Sequence, residues 1–304
     1  MSWFWLSILA LIFWSGSDFF SKLGCVDRSD RVSHLKMVVA VGLVMGLHAG
    51  WEIFIGGVEI SPAVLLAYLP VSLLYIFSMA LGYIGLRYIE LSISSPICNS
   101  SGALVAIVTL ATAGLGAING WQLGAVFLVC AGVIGLGFVE YQEDDAARLA
   151  RQQRANYQYA KSFLAILLPV LYCLLDAAGT YADSLVLETL NEDSANVAYE
   201  LTFLTAGLVC LAILLIRREK FTLRQERPKY LGALCETAGQ FAYIYALADT
   251  EHVAMSAPII SAYCLVSVIW GHIFLKEKLS WKHYLMIAVA VVGIVILGLF
   301  DELG

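Results

Sequence analysis

YIGLRYIELSISSPI, Tyr83 to Ile97, is answered 162 residues later by YALADTEHVAMSAPI, Tyr245 to Ile259. Both stretches open on a tyrosine and close on Pro-Ile, so Pro96 overlies Pro258. NGWQLGAVFLV and LSWKHYLMIAV match at Trp121 and Trp281, 160 apart. FWSGSD overlies LYCLLD at an offset of 158, aligning Trp14 with Tyr172 and Asp18 with Asp176. Three colinear matches with little drift read as an internal duplication, and they predict that Pro96 and Pro258 open equivalent helices.

What is duplicated spans a membrane. The 304 residues are 60% hydrophobic and 14% charged, with a mean hydropathy of +0.81, too apolar for a soluble domain of this length. Apolar runs of the roughly 20 residues that cross a hydrocarbon core fall near 3–22, 35–56, 64–88, 92–115, 120–140, 162–183, 195–216, 229–249, 253–275 and 281–300. They are continuous rather than alternating, which excludes a β-barrel. The opening MSWFWLSILALIFW lacks the basic n-region of a signal peptide and is read as a retained span. The expected fold class is therefore all-α integral membrane, with ten transmembrane helices in two inverted five-helix repeats. The repeats are read as 1–140 and 162–304, joined by a polar linker, 141–161. An odd number of helices per half makes the second half cross in the opposite sense, as in many secondary transporters.

Charge agrees with this topology. All 18 basic residues fall in or beside the odd-numbered connections, from Lys22, Arg28, Arg31 and Lys36 in the first to Lys276, Lys278 and Lys282 in the ninth. The even connections and the termini carry acids such as Glu59, Glu188 and Asp301. By the positive-inside rule the odd connections are cytoplasmic and both termini lie outside. The linker EYQEDDAARLARQQRANYQYAK switches from acidic to basic and reads as a solvated connector.

Few chemistries survive this composition. The seven cysteines lie about one per helix with no CxxC or CxH pair, so no metal or redox centre is expected. No H-E-x-x-H or G-x-S-x-G motif and no glycine-rich phosphate loop occurs. The expectation is a chain that is not an enzyme, takes no cofactor and binds no nucleic acid. The 25 glycines are scattered along the spans and read as helix contacts.

The residues that invite function are carboxylates inside spans: Asp18, Asp176, Glu200 and Glu236, with Asp183 and Asp249 near span ends. An ionised Asp at mid-bilayer costs about 3 kcal/mol or more, so each needs a partner, a water-filled cavity or a proton. Asp18 has Lys22 four residues on, and an ion pair at the membrane edge is its structural alternative. Trp14 precedes Asp18 by four, Tyr172 precedes Asp176 by four, and Gln240 follows Glu236 by four, with Tyr243 a turn further. Aromatic and amide faces thus adjoin carboxylates, an arrangement that suits an organic cation or the ammonium of a zwitterion. Tyr83 and Tyr263 read equally as cavity or packing aromatics. Asn99, a turn after Pro96, hydrogen-bonds either a substrate or the carbonyl that the proline frees.

HIFLKEKLSWKHYLMIAVAVVGIVIL, His272 to Leu297, resembles the end of the second repeat in EamA-type members of the drug/metabolite transporter superfamily. LALIFWSGSDFFSKLG is similar to the first helix of that family, and SISSPI and AMSAPI to the Ala/Ser-Pro starts of its fourth and ninth. The resemblance implies a central cavity lined mainly by helices 1, 3, 4, 6, 8 and 9. It implies a secondary transporter that moves a small-molecule substrate, an amino acid, amine or related metabolite, across the lipid bilayer by alternating access, with protons as candidate coupling ions. The residues expected to contact substrate are Trp14, Asp18, Tyr83, Asn99, Tyr172, Asp176, Glu236, Gln240 and Tyr263. A multi-pass protein of a bacterial cell (inner) membrane, functional as a monomer, completes the expectation. The competing classes are an intramembrane enzyme and a membrane receptor or scaffold, and the matched prolines of an inverted repeat favour transport over both.

Overall fold

The computed structural model describes residues 2–25, 30–86, 91–114, 118–141, 163–276 and 279–303. Its helices are α1 (Trp3–Cys25), α2 (Ser33–Phe54), α3 (Pro62–Gly85), α4 (Leu91–Cys98), α5 (Ser101–Ala113), α6 (Gly120–Tyr141), α7 (Phe163–Leu187), α8 (Glu192–Ile216), α9 (Leu223–Leu247), α10 (Val253–Ser261), α11 (Tyr263–Phe274) and α12 (Trp281–Leu303). They make ten crossings, because α4 with α5 and α10 with α11 each form one broken span. No strand occurs among the described residues. The interior of the linker, with Arg28, Arg87 and Lys278, lies outside them.

Local chemistry sets the ends. Ser61 caps α3, its hydroxyl accepting from the Val64 N–H at 3.3 Å with Pro62 following at the first helical position. Asn191 caps α8 in the same way, accepting from Asp193 N–H at 3.0 Å, and Glu192 and Asp193 place negative charge at the helix start.

Pro96 and Pro258 do not open their helices. Each lies five residues into the short first segment of a broken span, and the break follows at Asn99–Ser100 and at Ala262. A proline this early deprives only one carbonyl, that of the residue four before it, so the turn containing it survives. Beyond it, side chains join the backbone N–H groups at the same acceptors: Asn99 Nδ2 donates to the Ser95 carbonyl at 2.8 Å and Ser100 Oγ to the Pro96 carbonyl at 2.9 Å, beside the N–H bonds of the same two residues at 2.9 and 3.1 Å. The two breaks remain equivalent under the offset of 162.

The halves interleave. α1 packs along α9, α3 along α7, α2 on α8, α6 on α12, α5 on α10 and α4 on α11. Exchanging the halves turns α1–α9 into α7–α3 and α5–α10 into α11–α4, and maps the other two pairs onto themselves. The pairs run antiparallel: Gly42 abuts Gly207 where His48 reaches back to Glu200, and Gly132 faces Ala290 where Gly135 faces Met286. The bundle is therefore an inverted repeat whose every long seam joins one helix from each half.

Nine crossings are long and apolar enough, among the described residues, to span a membrane on composition alone. α9 is the exception, because Arg224, Glu226, Arg227 and Lys229 crowd its start and Glu236 and Gln240 interrupt its middle. Its place between α1 and α2 shelters Glu226, Lys229, Glu236 and Gln240, which are buried, while Arg224 and Arg227 stay exposed. Leu47, Phe54 and Phe127 point outward on the periphery, and the equivalent Trp121 and Trp281 each begin a helix in an exposed position suited to the membrane interface.

At one end of the bundle a buried ion cluster ties the first connection to the seventh. Lys36 Nζ meets Asp30 Oδ2 at 2.9 Å and Glu226 Oε1 at 3.5 Å, and donates to the Lys220 carbonyl at 2.8 Å. Lys229 Nζ meets Glu226 Oε2 at 3.1 Å. Glu226→Ala leaves two buried ammonium groups sharing Asp30, and breaking a buried pair in this way costs roughly 3–5 kcal/mol. A large drop in the thermal unfolding midpoint is expected, whereas the exposed Arg224→Ala should shift stability by less than about 0.5 kcal/mol.

Candidate functional site

The six crossings built from α1, α3, α4–α5, α7, α9 and α10–α11 surround a central cavity, to which α8 adds Tyr199. All nine residues singled out from the sequence line it: Trp14, Asp18, Tyr83, Asn99, Tyr172, Asp176, Glu236, Gln240 and Tyr263. Its empty volume is about 930 Å³ with the open space at its mouth included, an upper bound on the solute it could enclose. The lining holds three carboxylates and, among the described residues, no Lys, Arg or His.

Each carboxylate is held by a serine hydroxyl from another helix. Ser95 of α4 donates to Asp18 Oδ2, Ser101 of α5 to Asp176 Oδ2 at 2.7 Å, and Ser17 of α1 to Glu236 Oε2 at 2.6 Å. The break between α4 and α5 thus lies between the two equivalent aspartates, with one serine on either side of it. A carboxylate offers about four acceptor positions, so a single hydroxyl leaves most of that capacity for a ligand. Around these groups stand aromatic rings: Trp14 lies 5.0 Å from Tyr243 and 5.8 Å from Tyr263, centroid to centroid. Trp14 Nε1, Tyr83 OH and Gln240 Nε2 are buried donors with no hydrogen-bond partner among the described residues. They can serve the polar or anionic part of a solute.

Geometry bears on two of the sequence alternatives. Lys22, buried in the last turn of α1, sends its ammonium to the Leu86 carbonyl at 2.8 Å, while Asp18 turns to Ser95. Asn99 bonds the carbonyl and hydroxyl of Ser95, at 2.8 and 3.2 Å, rather than the Ser92 carbonyl that Pro96 frees, so it braces the helix break from the cavity wall. Of the other intramembrane acids, Glu200 sits outside the cavity between α8 and α2, 2.9 Å from His48 Nδ1, and Asp249 pairs with His252 at the entrance to α10, 2.7 Å away.

Sequence reading missed the serines and the closure of the cavity toward the start of α3. There Tyr75 and Tyr243 join through their hydroxyls, and the Tyr75 hydroxyl donates to Thr180 Oγ1 at 3.1 Å. Tyr68, Tyr75 and Gly82 recur every seven residues, a helical stripe that could have pointed to this seam. Serines are common in spans, and nothing in one sequence sets Ser17, Ser95 and Ser101 apart.

The EamA-like transporter family profile matches residues 163–299, the second half of the chain. No curated protein matches the sequence. A solved crystal structure has the same fold over 99% of this chain and 97% of its own length, with a TM-score of 0.63 at 11% identity. Residues 163–299 thus match the EamA-like transporter family, a family of membrane transporters in the drug/metabolite transporter superfamily.

Proposed function

We propose that the protein is a secondary transporter of small organic solutes bearing an ammonium group, either amines or amino-acid zwitterions, working by alternating access. The observation that carries this reading is the set of three carboxylates facing one aromatic-walled cavity with no basic side chain in its described lining. Carboxylates gathered in a low-dielectric space repel one another until a cation or proton arrives. An ammonium satisfies that demand and gains about 0.5–2 kcal/mol from each well-placed ring. In its absence a proton takes the place of the ammonium, which makes proton-for-amine exchange the coupling we favour.

Asp18 and Asp176 occupy equivalent positions in repeats of opposite orientation, so rocking one repeat against the other exposes first one and then the other. We take the repeats as residues 1–140 and 162–304 with 141–161 as their linker, both termini outside, and the chain working as a monomer in a bacterial inner membrane. A thermal-shift series on purified protein tests the substrate class, since a ligand that binds only the folded state at 100 times its Kd adds about 2.7 kcal/mol. Phenethylamine and phenylalanine are the probes, with phenethyl alcohol as the neutral isostere. The midpoint is expected to rise with at least one ammonium compound and to stay unchanged with the alcohol. A rise with the alcohol alone would replace this reading with a neutral-solute carrier.

A further inference from the structure

The seam between α3 and α7 continues past the cavity. Gly82 packs against Tyr172, Tyr75 OH donates to Thr180, and beyond them Tyr68 OH donates to Asp183 Oδ1 at 2.7 Å. These three rungs lead from the cavity toward the end where α3 begins and α7 finishes. Asp183 lies seven residues after Asp176, on the same face of α7 and roughly 10 Å further along it. It is fully buried, and its Oδ2 has no hydrogen-bond partner among the described residues. Between it and the cavity stand Tyr75 and Tyr243, and Tyr199 meets Tyr68 and Tyr75 edge-on at 6.4 and 5.7 Å between centroids.

A buried carboxylate bonded by Tyr68 and flanked by the Tyr243 hydroxyl is costly as a mere brace, because a neutral serine or asparagine could accept the same hydrogen bond without desolvating a charge. The equivalent position in the first repeat, at the offset of 158, is Cys25, so the duplication does not require an acid here. The far end of the bundle is built the other way, with Lys22 on the Leu86 carbonyl and the Lys36–Glu226–Lys229 cluster beyond. An acid framed by tyrosines repeats the chemistry of the cavity.

We propose that Asp183 is a second ammonium site, a station on the path between the central cavity and the Tyr68 end of the bundle. It rests on the ammonium reading of the cavity. When the Tyr75–Tyr243 pair parts, the ammonium passes from Asp176 by way of Thr180 to the free oxygen of Asp183.

The test uses the full chain in proteoliposomes, with radiolabelled phenethylamine presented separately to each face, and equilibrium binding of the same probe in detergent. Asp183→Asn removes the charge and keeps an acceptor for Tyr68, whereas Tyr68→Phe removes the hydrogen bond and keeps the charge. Asp183→Asn is expected to raise the half-saturating concentration from the Tyr68 face by more than about tenfold, the scale of losing a buried charge partner. Uptake from the other face should fall less, and equilibrium binding in detergent should lose the second site while the affinity of the central one stays within about twofold of wild type. Tyr68→Phe keeps the charge and should shift that value far less than Asp183→Asn does. Asp183→Ser serves if the first variant does not fold, and if neither neutral variant folds the carboxylate is structural and the proposal falls. Equal shifts in Asp183→Asn and Tyr68→Phe would also overturn it, assigning Asp183 to a seal, as would wild-type behaviour of Asp183→Asn at both faces. Wild-type protein that binds neither phenethylamine nor phenylalanine defeats the ammonium reading itself. Binding that Asp176→Asn abolishes, with the Asp183 variants matching wild type throughout, removes only the second site.

Discussion

Asp176→Asn is expected to lower phenethylamine uptake by about 100-fold or more, the scale of leaving a buried ammonium without its charged partner, while the protein stays folded. Folding should survive because the amide oxygen of asparagine can still accept the Ser101 hydrogen bond that the carboxylate accepts at 2.7 Å. The side chain keeps its size and its place beside Tyr172, so packing changes little. What disappears is the charge, which on this reading faces the substrate. Asp18→Asn and Glu236→Gln should also impair uptake, since their serine bonds, from Ser95 and Ser17, are likewise retained by an amide. Initial rates in proteoliposomes, with folding checked by size-exclusion profile, decide the matter. If all three variants transport like wild type, the carboxylates are structural and the solute carries no ammonium.

The second large effect is on assembly. A Cβ at Gly42 would lie 2.9 Å from the Gly207 Cα and 3.2 Å from its nitrogen, and backbone atoms cannot swing aside as a flexible side chain can. α2 and α8 meet here, backbone to backbone, which is the use small residues have in membrane helix packing. Gly42→Leu must therefore separate the two helices and pull His48 from Glu200. A penalty beyond about 3 kcal/mol, past the usual cost of overpacking, should leave no monodisperse protein after detergent extraction. Gly124→Leu is the control, because a Cβ there meets nothing within 4 Å. Equal yields of the two variants would show that the α2–α8 contact does not hold the bundle together.

The spans were legible because continuous apolar runs of bilayer length leave little else to be. The inverted duplication was legible through Tyr83 to Pro96 and Tyr245 to Pro258, and Asp18 and Asp176 reached the cavity wall for a physical reason: an acid in an apolar run must go where water or a ligand can meet it. Periodicity did the rest by placing Trp14, Tyr172 and Gln240 beside Asp18, Asp176 and Glu236 respectively. Neighbour choice was not legible. A sequence sets the direction of each crossing, but nothing local says that α1 lies against α9 rather than against a helix of its own half. The proline breaks lie a few residues beyond the prolines because the turn containing Pro96 survives: the Asn99 and Ser100 N–H groups still reach the Ser95 and Pro96 carbonyls, and their side chains double those bonds. Lys22 four residues after Asp18 offered an ion pair as the alternative to a cavity role, yet the Leu86 carbonyl that receives its ammonium comes from another helix end. In the sequence Asp183 lies near a span end, and only the pairing of α3 with α7 shows it buried.

Counterflow in proteoliposomes bears most directly on the claim that this is an amine carrier working by alternating access. Vesicles are loaded with unlabelled phenethylamine, diluted into a trace of labelled compound, and followed over time. A carrier whose cavity opens to one face at a time returns outward loaded and inward loaded, so label should accumulate transiently above its equilibrium level, saturate with concentration, and do neither in Asp176→Asn vesicles. Uptake that rises linearly with concentration, shows no overshoot and is indifferent to preloading would contradict alternating access and leave a channel-like or amine-blind protein in its place.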